Sequence, residues 1–116
     1  MREAEKVRVL LIIPAYNEEA NIQRVIGRVR EYRKTCPYQL DYVVINDGST
    51  DSTARICREN GIHHSSLLQN LGIGGAVQTG YLYAQREGYD IAVQFDGDGQ
   101  HDLNSLPQLL APVVRG

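Results

Sequence analysis

The sequence predicts an α/β domain, a three-layer α/β/α sandwich around a mostly parallel sheet. Three observations carry this expectation. Short aliphatic and β-branched runs alternate with amphipathic stretches, the alternation repeats in four units, and the first three units close on Pro37, Gly61 and Gly88. With 116 residues there is room for one such core, assigned to residues 7–116 behind a leader of residues 1–6.

The elements follow in order. Val7 to Ile13 is a near-continuous apolar run, the pattern of a strand covered on both faces, and it is expected to stop at Pro14. Ile22, Val25, Ile26, Val29 and Tyr32 recur at spacings of three and four and predict the first helix, with Asn17 or a neighbour as N-cap and Glu18 and Glu19 near its positive end. Tyr42 to Ile45 repeats the buried-strand pattern. The turn cluster Asn46-Asp47-Gly48-Ser49-Thr50-Asp51 then leads into a short helix over residues 52–60, ended by Gly61. A weaker strand is expected over residues 62–68. The glycine-rich turn Asn70-Leu71-Gly72-Ile73-Gly74-Gly75 opens a third helix with Ala76, Val77, Gly80, Tyr81 and Ala84 on its inner face. Ile91, Ala92, Val93 and Phe95 make the fourth strand. A last helix over residues 103–114 presents Leu106, Leu109, Leu110 and Val113; another strand normally follows such a helix, so residue 116 is expected to lie inside a larger fold, and the stripe points to self-association.

Composition removes several classes. Twelve basic against 14 acidic residues leave a net charge of -2, which argues against nucleic acid as a partner, and Arg24, Arg28, Arg30, Arg33 and Lys34 read as the solvated face of the first helix. No apolar run approaches the ~20 residues of a membrane span, and the N-terminus lacks the apolar region of a signal peptide. Cys36 and Cys57 have no metal-site spacing and are expected as reduced, partly buried thiols, which suits a cytoplasmic protein.

Every unusual polar cluster falls at the carboxyl end of a predicted strand, the edge where open α/β sheets bind ligands. In Asp96-Gly97-Asp98 the two carboxylates are two residues apart, so in an extended segment they point the same way. Left unpaired at about 4 Å they would repel by roughly 4 kcal/mol in an effective dielectric of ~20, whereas a divalent cation turns the arrangement favourable. Oxygen-only ligands favour Mg²⁺ or Mn²⁺. An EF-hand is excluded, because counting from Asp96 puts His101 where glycine is required. The glycine turn could cradle a phosphate at a helix start, yet no GK[ST] follows it and Val77 stands at the third-glycine position of a dinucleotide fingerprint. For Asp47 two readings stay open: an Asx-turn residue, or a carboxylate that accepts hydrogen bonds from a base edge or ribose.

Taken together, Pro14-Ala15-Tyr16-Asn17-Glu18-Glu19, the Asn46 to Asp51 cluster, Asn70 to Ala76 and Asp96-Gly97-Asp98-Gly99-Gln100-His101 resemble the family 2 glycosyltransferases, most of all the dolichyl-phosphate mannose synthase-like branch. The resemblance covers residues 7–116 and implies a GT-A fold of which this chain is the nucleotide-binding part. It implies that Pro14, Ala15, Tyr16, Glu18 and Asp47 line the nucleoside pocket and that Gly74 and Gly75 flank the nucleotide. Asp96 and Asp98 would be the DxD pair that holds Mg²⁺ or Mn²⁺ against the diphosphate, with Gln100 completing the metal site. The donor would be a UDP- or GDP-sugar and the acceptor a lipid phosphate or glycan, met at the cytoplasmic face of the membrane. Inverting members use a carboxylate base that lies further beyond the DxD than this chain extends, so the catalytic base is expected after residue 116, and Asp102 is better placed to cap the last helix. The alternative is an inactive transferase domain that serves as a binding or assembly module.

Overall fold

The computed structural model describes residues 7–95. They form β1 (Arg8–Ala15), α1 (Ile22–Arg33), β2 (Gln39–Asn46), α2 (Thr53–Glu59), β3 (His64–Ser66), α3 (Gly72–Arg86) and β4 (Ile91–Gln94). The strands lie in the order β3-β2-β1-β4, and every pairing is parallel. The predicted helix over residues 103–114 lies outside the described residues.

β1 is the centre of the molecule. Val9, Leu10, Leu11 and Ile12 have no exposed surface, which explains why its sequence is apolar throughout rather than alternating. Odd-numbered residues from Val9 to Ala15 pack with Ile22, Val25, Ile26 and Val29 of α1 and Cys57 of α2. Leu10 and Ile12 pack on the other face with Val43, Ile45 and Ala76 and Ala84 of α3. This is the three-layer arrangement predicted. The helices change faces where the direction of travel reverses: β1 to β2 to β3 moves outward with α1 and α2 on one side, and the return from β3 to β4 across β1 places α3 on the other. Crossovers that share one hand require that switch.

The strand does not stop at Pro14 as expected. It runs through Pro14, paired with Ile45, to Ala15, paired with Asn46. The carbonyl of Ile12 accepts the Phe95 N–H at 2.8 Å, so Ile12 faces β4; Pro14 has the same parity, and its missing N–H costs no bond to β2. The first helix also starts later than expected, at Ile22 after Asn21. On α3 the buried residues are Ala76, Gly80 and Ala84, four apart, while Tyr81 is turned outward and nearly half exposed, contrary to its predicted place on the inner face.

Both cysteines are free thiols, and burial pushes the Cys57 thiol above its ordinary pKa. The basic residues of α1 lie at the surface with local partners, Arg33 beside Asp41 and Lys34 beside Glu31.

At the amino edge of the sheet the Arg8 guanidinium sits over the Tyr89 ring at 4.4 Å, and the Tyr89 hydroxyl donates to Asp41 Oδ2 at 2.8 Å. Desolvation, then this hydrogen bond, push the Tyr89 phenol up to about 12. A phenol whose folded pKa lies above its unfolded value near 10 stabilises the fold fully below that unfolded value. The contribution is lost as the pH rises through the folded value of about 12. Denaturant midpoints measured upward from about pH 9 should therefore fall more steeply for this chain than for Tyr89→Phe.

Candidate functional site at the carboxyl edge of the sheet

Three connections meet above the carboxyl ends of β1, β2 and β3, and side chains lace them together. Asn17 takes φ 53°, a left-handed conformation that asparagine tolerates. Its Oδ1 accepts the backbone N–H groups of Thr50 at 2.8 Å and Asp51 at 3.3 Å, and its own N–H donates to Ser49 Oγ at 2.9 Å. The residue expected to cap the first helix thus ties the loop after β1 to the loop after β2. Glu18 N–H donates to Thr53 Oγ1 at 2.9 Å, and Glu19 N–H donates to Asp51 Oδ2 at 3.2 Å. The Glu19 carboxylate accepts Ser52 N–H at 3.0 Å, so it serves the positive end of α2 rather than that of α1.

Thr53 is fully buried and turns its hydroxyl to Asp51. Desolvation works against the ionised Asp51, but hydrogen bonds from Thr53, through hydroxyl and backbone, and from Glu19 hold its carboxyl below the usual range.

Asp47 is the buried carboxylate among the described residues of this edge, 3% exposed. Its N–H donates to the Ala15 carbonyl at 2.8 Å. Oδ1 accepts the Leu71 N–H at 2.7 Å, and Oδ2 accepts Asn70 Nδ2 at 3.1 Å. A carboxylate has about four lone-pair sites, so two of them remain for a ligand. Asp47 does not close an Asx-turn: its carboxylate bonds to Asn70 and Leu71, 23 and 24 residues further along the chain, and it keeps acceptor capacity beyond those two bonds.

Gly48 makes the approach of the two loops possible. It has φ 68°, and a Cβ there would meet Asn70 N at 2.5 Å and the Gln69 carbonyl carbon at 2.6 Å. Only glycine allows the backbone after β2 to lie against the backbone before α3.

These contacts wall a cleft of about 470 Å³ lined by Pro14, Ala15, Tyr16, Glu18, Asp47, Asn70, Gly72 and Ile73. The five residues expected to line the nucleoside pocket come together in it. Gly74 and Gly75 do not line it. Gly74 has nothing within 4 Å of where a Cβ would stand, and Gly75 is packed against Leu71, whose Cβ would be 2.6 Å from an added Cβ. Helix α3 starts at Gly72, and its first two residues, Gly72 and Ile73, line the cleft together with Asn70, while Gly74 and Gly75 follow in the same turn. Asn70, Gly72 and Ile73 were not singled out as ligand contacts. The signal was present, since they belong to the same glycine turn at a strand's carboxyl end, but where that turn becomes helix was not readable.

Chemically the cleft offers acceptors and apolar surface. Its ionisable lining residues among those described are Tyr16, Glu18 and Asp47, and Tyr16 and Ile73 are 48% and 58% exposed. Such a site suits a neutral ring with N–H or O–H donors better than a bare anion. His63 and His64 stay outside it: His63 Nε2 pairs with the Tyr83 hydroxyl at 3.0 Å, and His64 Nδ1 lies 2.9 Å from the Ile62 carbonyl. Among the described residues no group of three His, Cys, Asp or Glu side chains could hold a metal. The expected ligands Asp96, Asp98 and Gln100 lie outside the described residues, and in the sequence they follow directly on β4 and Phe95. β4 adjoins β1 where the strand order reverses, the place at which open α/β sheets bind their ligands.

The sequence model described as Glycosyl transferase family 2 matches residues 10–116. The chain belongs to this family. Polyprenol monophosphomannose synthase of Mycolicibacterium smegmatis is 35% identical over 115 residues, covering 94% of this chain and 42% of that protein. Undecaprenyl-phosphate mannosyltransferase of Micrococcus luteus is 35% identical over 112 residues, covering 92% of this chain and 44% of that protein. UDP-N-acetylglucosamine--dolichyl-phosphate N-acetylglucosaminyltransferase of Methanococcus voltae is 32% identical over 126 residues, covering 91% and 47%. The chain thus spans less than half the length of these relatives. Family 2 membership fits the all-parallel α/β sheet and the cleft at its carboxyl edge. No helix among the described residues is long and apolar enough to cross a membrane.

Proposed function

We propose that this chain is the donor-binding part of a glycosyltransferase that moves a sugar from a nucleoside diphosphate to a lipid phosphate. The observation that carries the reading is the cleft itself, in which Pro14, Ala15, Tyr16, Glu18 and Asp47 converge in a family 2 chain. The nucleoside lies in this cleft, with N–H or O–H groups of its base or ribose donating to Asp47. The lipid-phosphate acceptor is supported by the names of the three relatives, each of which carries a polyprenol or dolichyl phosphate. Transfer then takes place at a membrane surface.

The donor set Asp96, Asp98 and Gln100 is two carboxylates and a carboxamide, all oxygen ligands, which fits Mg²⁺ or Mn²⁺. Such a cation supplies electrostatic stabilisation of the charge that develops on the departing diphosphate. In the transfer the bond from the anomeric carbon to the diphosphate oxygen breaks, its electron pair leaves with the nucleoside diphosphate, and an ionised phosphate oxygen of the acceptor, which has no proton to lose, bonds to that carbon. Attack from the opposite face inverts the centre.

Asp96→Asn and Asp98→Asn test the metal assignment. Each should weaken Mn²⁺-dependent nucleotide binding by roughly tenfold or more while leaving the melting temperature close to that of the parent chain. Calorimetric titration with and without Mn²⁺ reads this directly. Unchanged metal-dependent affinity in both variants would remove these carboxylates from the site.

A further inference from the structure

We infer that Asn70 is a positioning residue for the nucleoside, acting through Asp47. This rests on the functional reading above and adds a residue to it. The Asn70 amide makes two hydrogen bonds to one neighbour: Nδ2 donates at 3.1 Å to Asp47 Oδ2 and at 3.1 Å to the Asp47 backbone carbonyl. It therefore fixes the carboxylate relative to its own backbone. Oδ1 is held separately by the Leu71 N–H at 2.7 Å. A carboxylate pinned at both oxygens presents its remaining lone pairs in set directions, so a ring bearing N–H donors finds acceptors already oriented.

The charge argument points the same way. Asp47 is buried, and among the described residues no Lys, Arg or His lines the cleft with it. The hydrogen bonds that its carboxylate accepts come from neutral groups, and Asn70 is the side-chain donor among them. Asn70 is itself exposed, and its backbone is positioned by the contact with Gly48, so its side chain can be changed without opening the core.

The test combines Asn70→Ala, Asp47→Asn and the double variant, titrated with UDP and with GDP in Mn²⁺ and followed by thermal melting. Asn70→Ala should weaken binding by roughly tenfold and, because two hydrogen bonds to a buried residue are lost, lower the melting temperature by no more than Asp47→Ala does. In the Asp47→Asn background the same change should have almost no further effect, because the group it orients is gone. Asn70→Asp adds a second readout. Two facing carboxylates share a proton at low pH and repel at high pH, so its affinity relative to the parent should recover on going from about pH 8 to about pH 5.5. The other ionisable side chains that line the cleft among the described residues, Tyr16 and Glu18, are common to both proteins. A parent chain that binds UDP or GDP, with Asn70→Ala equally tight or equally damaging in both Asp47 backgrounds, overturns the role of Asn70 alone. A parent chain that binds neither nucleotide overturns the functional reading and this role with it.

Discussion

Replacing Asp47 with alanine should weaken nucleotide binding by roughly 10- to 100-fold and lower stability by about 1–3 kcal/mol. Two losses combine. The ligand loses a charged acceptor at the base of the cleft, and the Leu71 N–H and the Asn70 amide lose the partner that holds the start of α3 against the loop after β2. Asp47→Asn separates them, because it keeps the shape and one acceptor oxygen but removes the charge. Binding should fall with Asp47→Asn nearly as far as with alanine, while the melting temperature falls less. Calorimetry on both variants beside thermal melting checks this, and wild-type affinity in Asp47→Ala would mean that the nucleoside site lies elsewhere.

The second large effect lies in the core. Gly80 stands on the inner face of α3 where an added Cβ would overlap Ile12 Cγ2 and stand 2.9 Å from Cγ1. Ile12 is fully buried in the central strand and cannot move aside, and the atoms struck are branch atoms next to its backbone. Alanine is the better helix former by about 1 kcal/mol, yet overpacking here costs about 1–3 kcal/mol, so Gly80→Ala should be net destabilising and Gly80→Val more so. Gly27, in the middle of α1, is exposed and has nothing within 4 Å of its added Cβ. Gly27→Ala should therefore stabilise by up to about 1 kcal/mol. Urea denaturation of the pair should give opposite signs; the same sign in both would show that packing against Ile12 does not set the position of α3.

The sequence carried the layers of this fold because they depend on local pattern. Unbroken apolar runs in β1 and β2 announce strands covered on two sides, and three-and-four spacing from Ile22 to Val29 announces a helix with one buried stripe. What it did not carry depends on contacts between distant segments. Asn17 looks like an N-cap because asparagine suits that role locally; its real partners are Thr50 and Asp51, more than thirty residues away. Pro14 looks like a strand terminator until the direction of its missing N–H is known. Tyr81 fits the inner face of α3 by periodicity, but close approach of helix to sheet at Gly80 leaves room there only for small residues.

For the site, the residues before the glycine turn were legible in kind and the partition of the turn was not. Asp47 stands out in the sequence as an acid at the end of a buried strand, and the structure places it in the cleft lining. Asn70 carries no such mark in the sequence, because its two hydrogen bonds run to a residue 23 positions earlier, which no spacing rule reports.

The most direct test of the whole account is calorimetric titration of the chain with UDP and GDP, each with and without Mn²⁺. Saturable binding of at least one nucleotide that strengthens when Mn²⁺ is added is the predicted result, since the proposal has the nucleoside cleft and the DxD carboxylates act on the same ligand. Binding of neither nucleotide in either condition would contradict the assignment of the cleft as the donor site.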